Sequence, residues 1–441
     1  MGRPWRRDRE QRGPVTGGTL FEADVTVTGG GPGGVGAAIA AARAGLSTVL
    51  LEGHGFLGGS RTAAAVDTSY GFWTPGERSR RVVGGVGFEI MRALLDEGHA
   101  FERPNTYGAG PGVTYDIERL KVLLDELVAA AGVDVLFHVI VTGAWPDDDG
   151  WTLDVAHRTS GSWTGRSRYL IDATGDAVVA TQAGAPVAVA AVEGRVQSLT
   201  TIFFMARVDV DRCLAVPHEE RTRLVAEADR SGAYRLPRHD GSIHPTPHPG
   251  VVQVNWVRVP NVDATDPRAL ADAEMEGRRQ AFEYLRFFRD RLPGCEHAYI
   301  SALGQQIGIR ETRRIVGRYV LDVDAILGGD RPEDSIALCA APVEDHTPGA
   351  DTRWIPVGGD GVYGIPFRCL LPQDVERMLV VGRCLSATHD AQASLRNSAQ
   401  AFATGEAAGV AVAVAARDQV PVADVDVAEV QRRILEAGGL V

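Results

Sequence analysis

Lysine is all but missing from this 441-residue chain: Lys121 stands alone, and the other 44 basic residues are arginines. Positive charge is in deficit too, with 45 basic against 57 acidic residues and a net charge of −12. An acidic surface lacks the basic footprint that non-specific nucleic-acid binding needs, so nucleic acid is excluded as a partner. Cysteine is scarce. Cys213, Cys295, Cys339, Cys369 and Cys384 are scattered, odd in number and form no CxxC pair. That usage suits a reducing cytoplasm and leaves no dithiol centre or thiolate zinc site. Long apolar runs are absent as well. None follows the Arg6-Arg7 pair, so no secretory signal is expected, and Val410–Ala416 falls well short of the ~20 residues that span a bilayer. These absences lead to the expectation of a cytoplasmic protein with no membrane partner, open to homo-oligomerisation, with residues 1–20 as a flexible tail.

Glycine, by contrast, is abundant, with 52 residues and no collagen-like period, and 44% of the chain is hydrophobic. The length exceeds one ordinary core, so two domains are the default. The glycines that matter cluster in loops. Asp24-Val25-Thr26-Val27-Thr28 reads as a strand running into Gly29-Gly30-Gly31-Pro32-Gly33-Gly34. A small-residue helix follows, Val35–Ala44, and then a second strand, Ser47–Leu51, ending at Glu52. This is the dinucleotide-binding fingerprint with its context intact. Gly29 permits the tight turn, Gly31 lets backbone approach a pyrophosphate, and Gly34 lets the helix pack close to the strand. The helix N-terminus presents free N–H groups to the phosphates. Glu52 stands where a ribose-binding acid belongs, and its charge disfavours the 2′-phosphate of NADP.

A second glycine loop follows at once, Gly53-His54-Gly55-Phe56-Leu57-Gly58-Gly59-Ser60-Arg61-Thr62. A plain NAD enzyme does not need it; a longer, two-ended cofactor such as FAD does. Gly58 and Gly59 would give close backbone approach and Arg61 a phosphate or flavin contact. Downstream, Asp116–Ala131 has apolar residues at helical spacing. It leads to Val133–Phe137, Val139–Val141 and a meander, Trp151–Val155 and Arg166–Ile171, closing in Asp172-Ala173-Thr174-Gly175-Asp176. Near the C-terminus, Arg377–Arg383 reads as a buried strand ending at Gly382, before a small-residue helix, Ala399–Ala411.

This layout resembles the glutathione-reductase-like FAD fold. The motifs Gly29–Gly34, Glu52–Gly59, Asp172–Asp176, Gly308–Ile315, Tyr363–Leu370 and Gly382–His389 are similar to those of the FAD-dependent oxidoreductase family found in many bacteria. The resemblance runs from about Asp24 to Arg417. It implies an α/β chain with a discontinuous Rossmann FAD-binding domain, residues 21–185 plus 366–417. It also implies an inserted α+β substrate domain at 186–365, a C-terminal extension at 418–441, and non-covalent FAD. On the same grounds Val141 meets adenine, Thr174, Gly175 and Asp176 flank the cofactor, and Gly382 and Arg383 reach its ribityl end. No second fingerprint for a nicotinamide domain occurs. The family often follows its double glycine with a small-residue pair and a glycine; Ser60-Arg61-Thr62 departs from that and makes the approach to the flavin more polar.

The expected function is FAD-dependent oxidation of a small organic substrate by hydride transfer, with dioxygen or an external acceptor re-oxidising the flavin. A redox-neutral isomerase or lyase, and an idle FAD-binding module, stand as alternatives. His389, in a loop after the flavin-side strand, is the candidate base, with flavin contact or helix capping as the other reading. Arg310, Arg313 and Arg314 would share one helix face and bind a substrate carboxylate or the flavin edge, or form an inter-domain ion-pair network. Arg396 and Asn397 suit an anion or a flavin carbonyl. His239, His244 and His248 fall in the Pro- and Gly-rich segment Pro237–Gly250, read as a lid or exposed loop. No metal site is expected. Covalent flavin attachment at Cys369 or Cys384 is disfavoured against buried thiols. Ser198–Val210 and Val251–Val259 are β-rich. Asp263–Leu292 reads as an amphipathic helix whose Phe282, Leu285 and Phe288 form a face for packing or for a partner subunit.

Overall fold

The computed structural model describes residues 17–104, 109–347 and 352–441. Strand β1 (Thr19–Thr28) is longer than expected: Thr19 already pairs with Thr164, and the Gly17 N–H donates to Ser162 O. The expected tail thus gives way to sheet from Thr19, and residues 1–16 lie outside the described residues. Helix α1 (Pro32–Arg43) starts with proline at its first position, where no N–H is needed. It delivers the chain to β2 (Thr48–Glu52), parallel to β1.

A parallel sheet grows from this unit. Its order is Asp134–Phe137, β2, β1, the return strand Gly161–Asp172, and Met378–Val380 beside the end of the return strand. The early half of the return strand instead takes the antiparallel meander Trp151–His157 and Val139–Pro146, so seven strands share one mixed sheet. Alternation along β2 divides two cores. Leu50 points into the one under α1, and Val49 and Leu51 into the one under the meander.

The helix Ser398–Asp418 has the length and apolarity of a membrane span, unlike the short run the sequence suggested. Eighty-nine per cent of its apolar window is buried inside the molecule. It packs on α1 through glycine: a Cβ at Gly405 would sit 2.0 Å from Gly33 O, so only backbone fits between the helices.

The middle of the chain forms a core of its own. Strands Ser242–Pro245, Val252–Asn255, Phe203–Ala206 and Tyr299–Leu303 make an antiparallel sheet in that order. Helix Pro267–Arg291, capped by the Asp266 side chain, covers it. Tyr284, Leu285, Phe287 and Phe288 enter this core, with Phe288 5.4 Å from Trp256, whereas Phe282 is 58% exposed. Phe282 therefore does not share the face assigned to it. The expected Pro237–Gly250 loop is overturned in part as well, because Ser242–Pro245 is the edge strand of this sheet.

Core membership also departs from the expected boundaries. Ile336, Ala337, Val343, Tyr363 and Ile365, placed in the inserted domain, pack in the first core. So do Val422, Val430 and Ile434 of the expected C-terminal extension.

Candidate active site

One cavity of about 540 Å³ runs between the two sheets. Its first wall is the glycine cradle. Gly29, Gly31, Pro32 and Gly33 line it at the start of α1, with Glu52 and Gly53 at the end of β2 and Gly59, Ser60 and Arg61 from the second loop. Val141 and the Thr174-Gly175-Asp176 turn line it as well, as do Gly382, Arg383, Arg396 and Asn397.

Gly34, Gly58 and Thr62 do not line the cavity: for Gly58 and Thr62 this corrects an expected cofactor contact, whereas Gly34 keeps the helix-packing role read from the sequence. Gly34 sets the helix on the strand, since a Cβ there would fall 1.8 Å from Gly29 O. The Gly58 N–H donates to Gly30 O at 2.8 Å and the Thr62 hydroxyl to Leu57 O at 2.8 Å, so both hold the loops together.

Glu52 accepts from the Gly30 N–H at 2.7 Å and the His54 N–H at 2.8 Å, and lies 2.8 Å from His54 Nδ1. Burial alone would raise its carboxyl, but these partners hold it below the usual range. Arg383 donates to Gly175 O at 2.9 Å and pairs with Asp176 at 2.7 Å, so its charge is locally balanced.

Arg61 is different. It is 1% exposed, lies over the Tyr115 ring and donates through Nη1 to Ser69 and Ser398, yet its Nε and Nη2 have no protein partner. Arg396 Nε is likewise buried and unpartnered, beside Asn397 at the N-terminus of the helix Ser398–Asp418. Orphaned buried donors at a helix N-terminus cost free energy unless a ligand supplies acceptors, as the carbonyl edge of a flavin does. The cradle and these donors fit FAD.

The second wall comes from the middle sheet and the segment after Val343. Alternation on Val343–Asp345 sends neighbouring residues to opposite sides. Glu344 and His346 line the cavity, with Glu344 accepting from the Tyr70 hydroxyl at 2.7 Å and lying 2.9 Å from His346 Nε2. Burial and nearby Arg310 push His346 down to about 3, so its ring is neutral. Asp345 turns away, toward His389.

His389 is not a cavity residue, which corrects its assignment as base. Its Nε2 lies 3.3 Å from Asp345 Oδ1. Its Nδ1 lies 2.7 Å from Glu311 Oε2, within ion-pair range though misaligned for a hydrogen bond. Burial opposes its charge, but the two carboxylates outweigh burial and raise it to about 9.

The expected helix face of Arg310, Arg313 and Arg314 does not form either. Arg313–Ile315 is a strand paired with Val187–Val189, and the ladder takes the backbone bonds that a helix would need. Arg314 turns to Glu311 and Glu193, while Arg310 alone of the three lines the cavity.

The three histidines of 237–250 also separate. His239 meets Asp229 at 3.2 Å and His248 meets Asp116 at 3.4 Å. His244 is buried, lines the cavity and pairs with Asp67 at 2.9 Å. Sequence reasoning missed Tyr70, Asp67, Arg238, Glu344 and His346. The one local signal was Glu344-Asp345-His346, three titratable residues directly after an apolar run.

A glycine-cradled βαβ unit opening on a polar cavity defines a dinucleotide-dependent enzyme. The family described as FAD dependent oxidoreductase matches residues 24–434, and the chain belongs to that family: it is an oxidoreductase that uses FAD. No curated protein matches the chain. Solved structures similar to it include a geranylgeranyl bacteriochlorophyll reductase-like protein from Thermoplasma acidophilum. It is 16% identical, with 96% of this chain and 85% of that one covered, at a TM-score of 0.46. Another is p-nitrophenol 4-monooxygenase from Pseudomonas putida, 12% identical over 95% and 85%, at 0.49. At these scores the likenesses say nothing of the reaction.

Proposed function

We propose that this enzyme oxidises a small organic substrate held between its FAD cradle and its middle sheet, in a glutathione-reductase-like arrangement with a discontinuous FAD domain. The observation that carries the reading is the shared cavity, lined on one side by the glycine loops and on the other by His244, Gln253 and Asn255. Bound FAD supplies a two-electron acceptor for a hydride equivalent from the substrate, with dioxygen or an external acceptor taking the electrons on.

The accompanying proton needs a base, and His244, which lines the cavity beside Gln253, is the candidate. In the neutral ring, Nε2–H donated to Asp67 leaves Nδ1 with a lone pair, and Nδ1 has no protein partner. As hydride leaves the substrate carbon, the adjacent O–H or N–H gives its proton to Nδ1. Asp67 holds the tautomer and balances the charge that forms.

The test is anaerobic bleaching of the purified flavoprotein by a metabolite panel, followed by stopped-flow reduction of variants. His244→Gln is expected to retain FAD and slow reduction about 100-fold, with Asp67→Asn slowed in the same direction. A His244→Gln protein reduced at the parent rate removes the base assignment. Failure of every metabolite to bleach the flavin removes the oxidation itself.

A further inference from the structure

The polar end of the cavity has a charge imbalance. Three arginines meet there: Arg238, Arg310 and Arg396. Arg238 has its own carboxylate, Asp240, at 3.0 Å. Arg396 reaches Glu344, 3.1 Å from its carbonyl and 3.7 Å from its carboxylate. Glu344 is deeply buried and held far below the usual carboxylate range: burial raises it, but His346, Arg396 and Tyr70 outweigh burial. It is therefore an anion already committed to its neighbours. His346 is neutral and adds no charge. Arg310 is left without a carboxylate among the described residues.

Its contacts show how it is held. Nη1 donates to Ser198 O and, at 2.8 Å, to Thr200 Oγ1, which fixes the guanidinium plane. Among the described residues, Nε and Nη2 have no hydrogen-bond partner. Burial, reinforced by Arg396 and Arg238, brings Arg310 down to about 9, the expected response of a cation lacking its counter-charge. An arginine anchored through one nitrogen offers its remaining N–H edge as a two-pronged donor, the match for a planar carboxylate. Arg258 adds a further cation near Arg310, so among the described residues positive charge exceeds negative at this end of the cavity, which favours an anionic ligand. Tyr70, Ile202 and Trp354 border the same space and give an apolar body somewhere to lie.

We propose that the substrate carries a carboxylate, received by the free edge of Arg310 with Arg238 alongside, and that Arg310 is the specificity-determining residue of the site. This rests on the reading that the cavity is where the substrate is oxidised. It assigns Arg310 to the substrate and Arg61 and Arg396 to the cofactor edge, because the latter two hold the orphaned donors at the helix N-terminus.

Binding can be read without turnover. The FAD-loaded protein is titrated with acetate and benzoate, and in parallel with acetamide, benzamide and inorganic sulfate, while the flavin absorption band is followed. The expected result is a saturable perturbation with at least one carboxylate, and none with its amide. Arg310→Gln should raise the carboxylate Kd about 10- to 100-fold at unchanged FAD content, and Arg310→Lys should fall between it and the parent.

Four binding results would overturn the proposal, and one result on FAD content besides. They are no saturable change with either carboxylate, an amide binding as tightly as its acid, sulfate binding more tightly than both carboxylates, and parent-like affinity in Arg310→Gln. Loss of FAD from Arg310→Gln with recovery in Arg310→Lys also overturns it, because the charge would then serve the cofactor. A parent protein that binds no FAD fails the cofactor reading itself, a separate outcome.

Discussion

His389 is protonated because two buried carboxylates flank it: burial alone disfavours the charge, and Asp345 and Glu311 reverse that, raising the ring from 6.5 to about 9. The link to stability follows from the sign. A base whose value is higher in the folded state stabilises the fold fully below pH 6.5, and that stabilisation fades as pH climbs through 9. His389→Gln is therefore expected to lose on the order of 2 kcal/mol at pH 6, with the deficit shrinking toward pH 10. Urea unfolding of parent and variant across that range checks it, and a deficit independent of pH would falsify the ion pair. The same residue shows the limit of local reading. Position after a flavin-side strand marked His389 for chemistry, yet its partners come from 44 and 78 residues away and turn it to structure. His244 looked like an ordinary loop residue, yet it sits on a strand, pairs with Asp67, 177 positions distant, and lines the cavity as His54 and His346 do.

At the scale of the element, the β1–α1–β2 unit was legible almost whole. Its requirements are met within about 30 contiguous residues, and glycine spacing reports directly on backbone approach. Gly34 carries the closest of these approaches. Gly34→Ala would place a methyl 1.8 Å from Gly29 O and force α1 off the strand. The expected outcome is loss of bound FAD and a fall of several degrees in thermal midpoint, on the order of 3 kcal/mol. Gly18→Ala, whose Cβ meets nothing within 4 Å, is the control and should match the parent in both readouts. Elements that depend on distant partners were read less well. Arg310–Arg314 has helical charge spacing, but an open edge at Val187–Val189 draws it into a ladder. Pro237–Gly250 has loop composition, yet Val252–Asn255 supplies the pairing that makes Ser242–Pro245 a strand.

Across the whole molecule, the cavity gathers residues from 28–70, 103, 139–141, 173–179, 200–202, 238–255, 306–310, 344–346, 352–354 and 381–401. A ligand that touches so many separate segments binds the folded chain and not the unfolded one. FAD at about 100 times its Kd should then stabilise the fold by about 2.7 kcal/mol, seen as a concentration-dependent rise in thermal midpoint. An apoprotein whose midpoint ignores added FAD would contradict this. Both cores feed the same cavity, so loss of either sheet should release the cofactor.

The amino-acid order alone determined the dinucleotide cradle, the preference for FAD over NADP and the family, because these are written in short-range spacing of glycine, acid and apolar residue. Only the tertiary structure decided which charged residues face one another. It put Glu344 and His346 on the cavity and sent Asp345 to His389, gave Arg238, Arg314 and Arg396 carboxylate partners, and left Arg310 with none among the described residues. Charge compensation acts through space over a few ångströms, and the residues that supply it lie far apart along the chain.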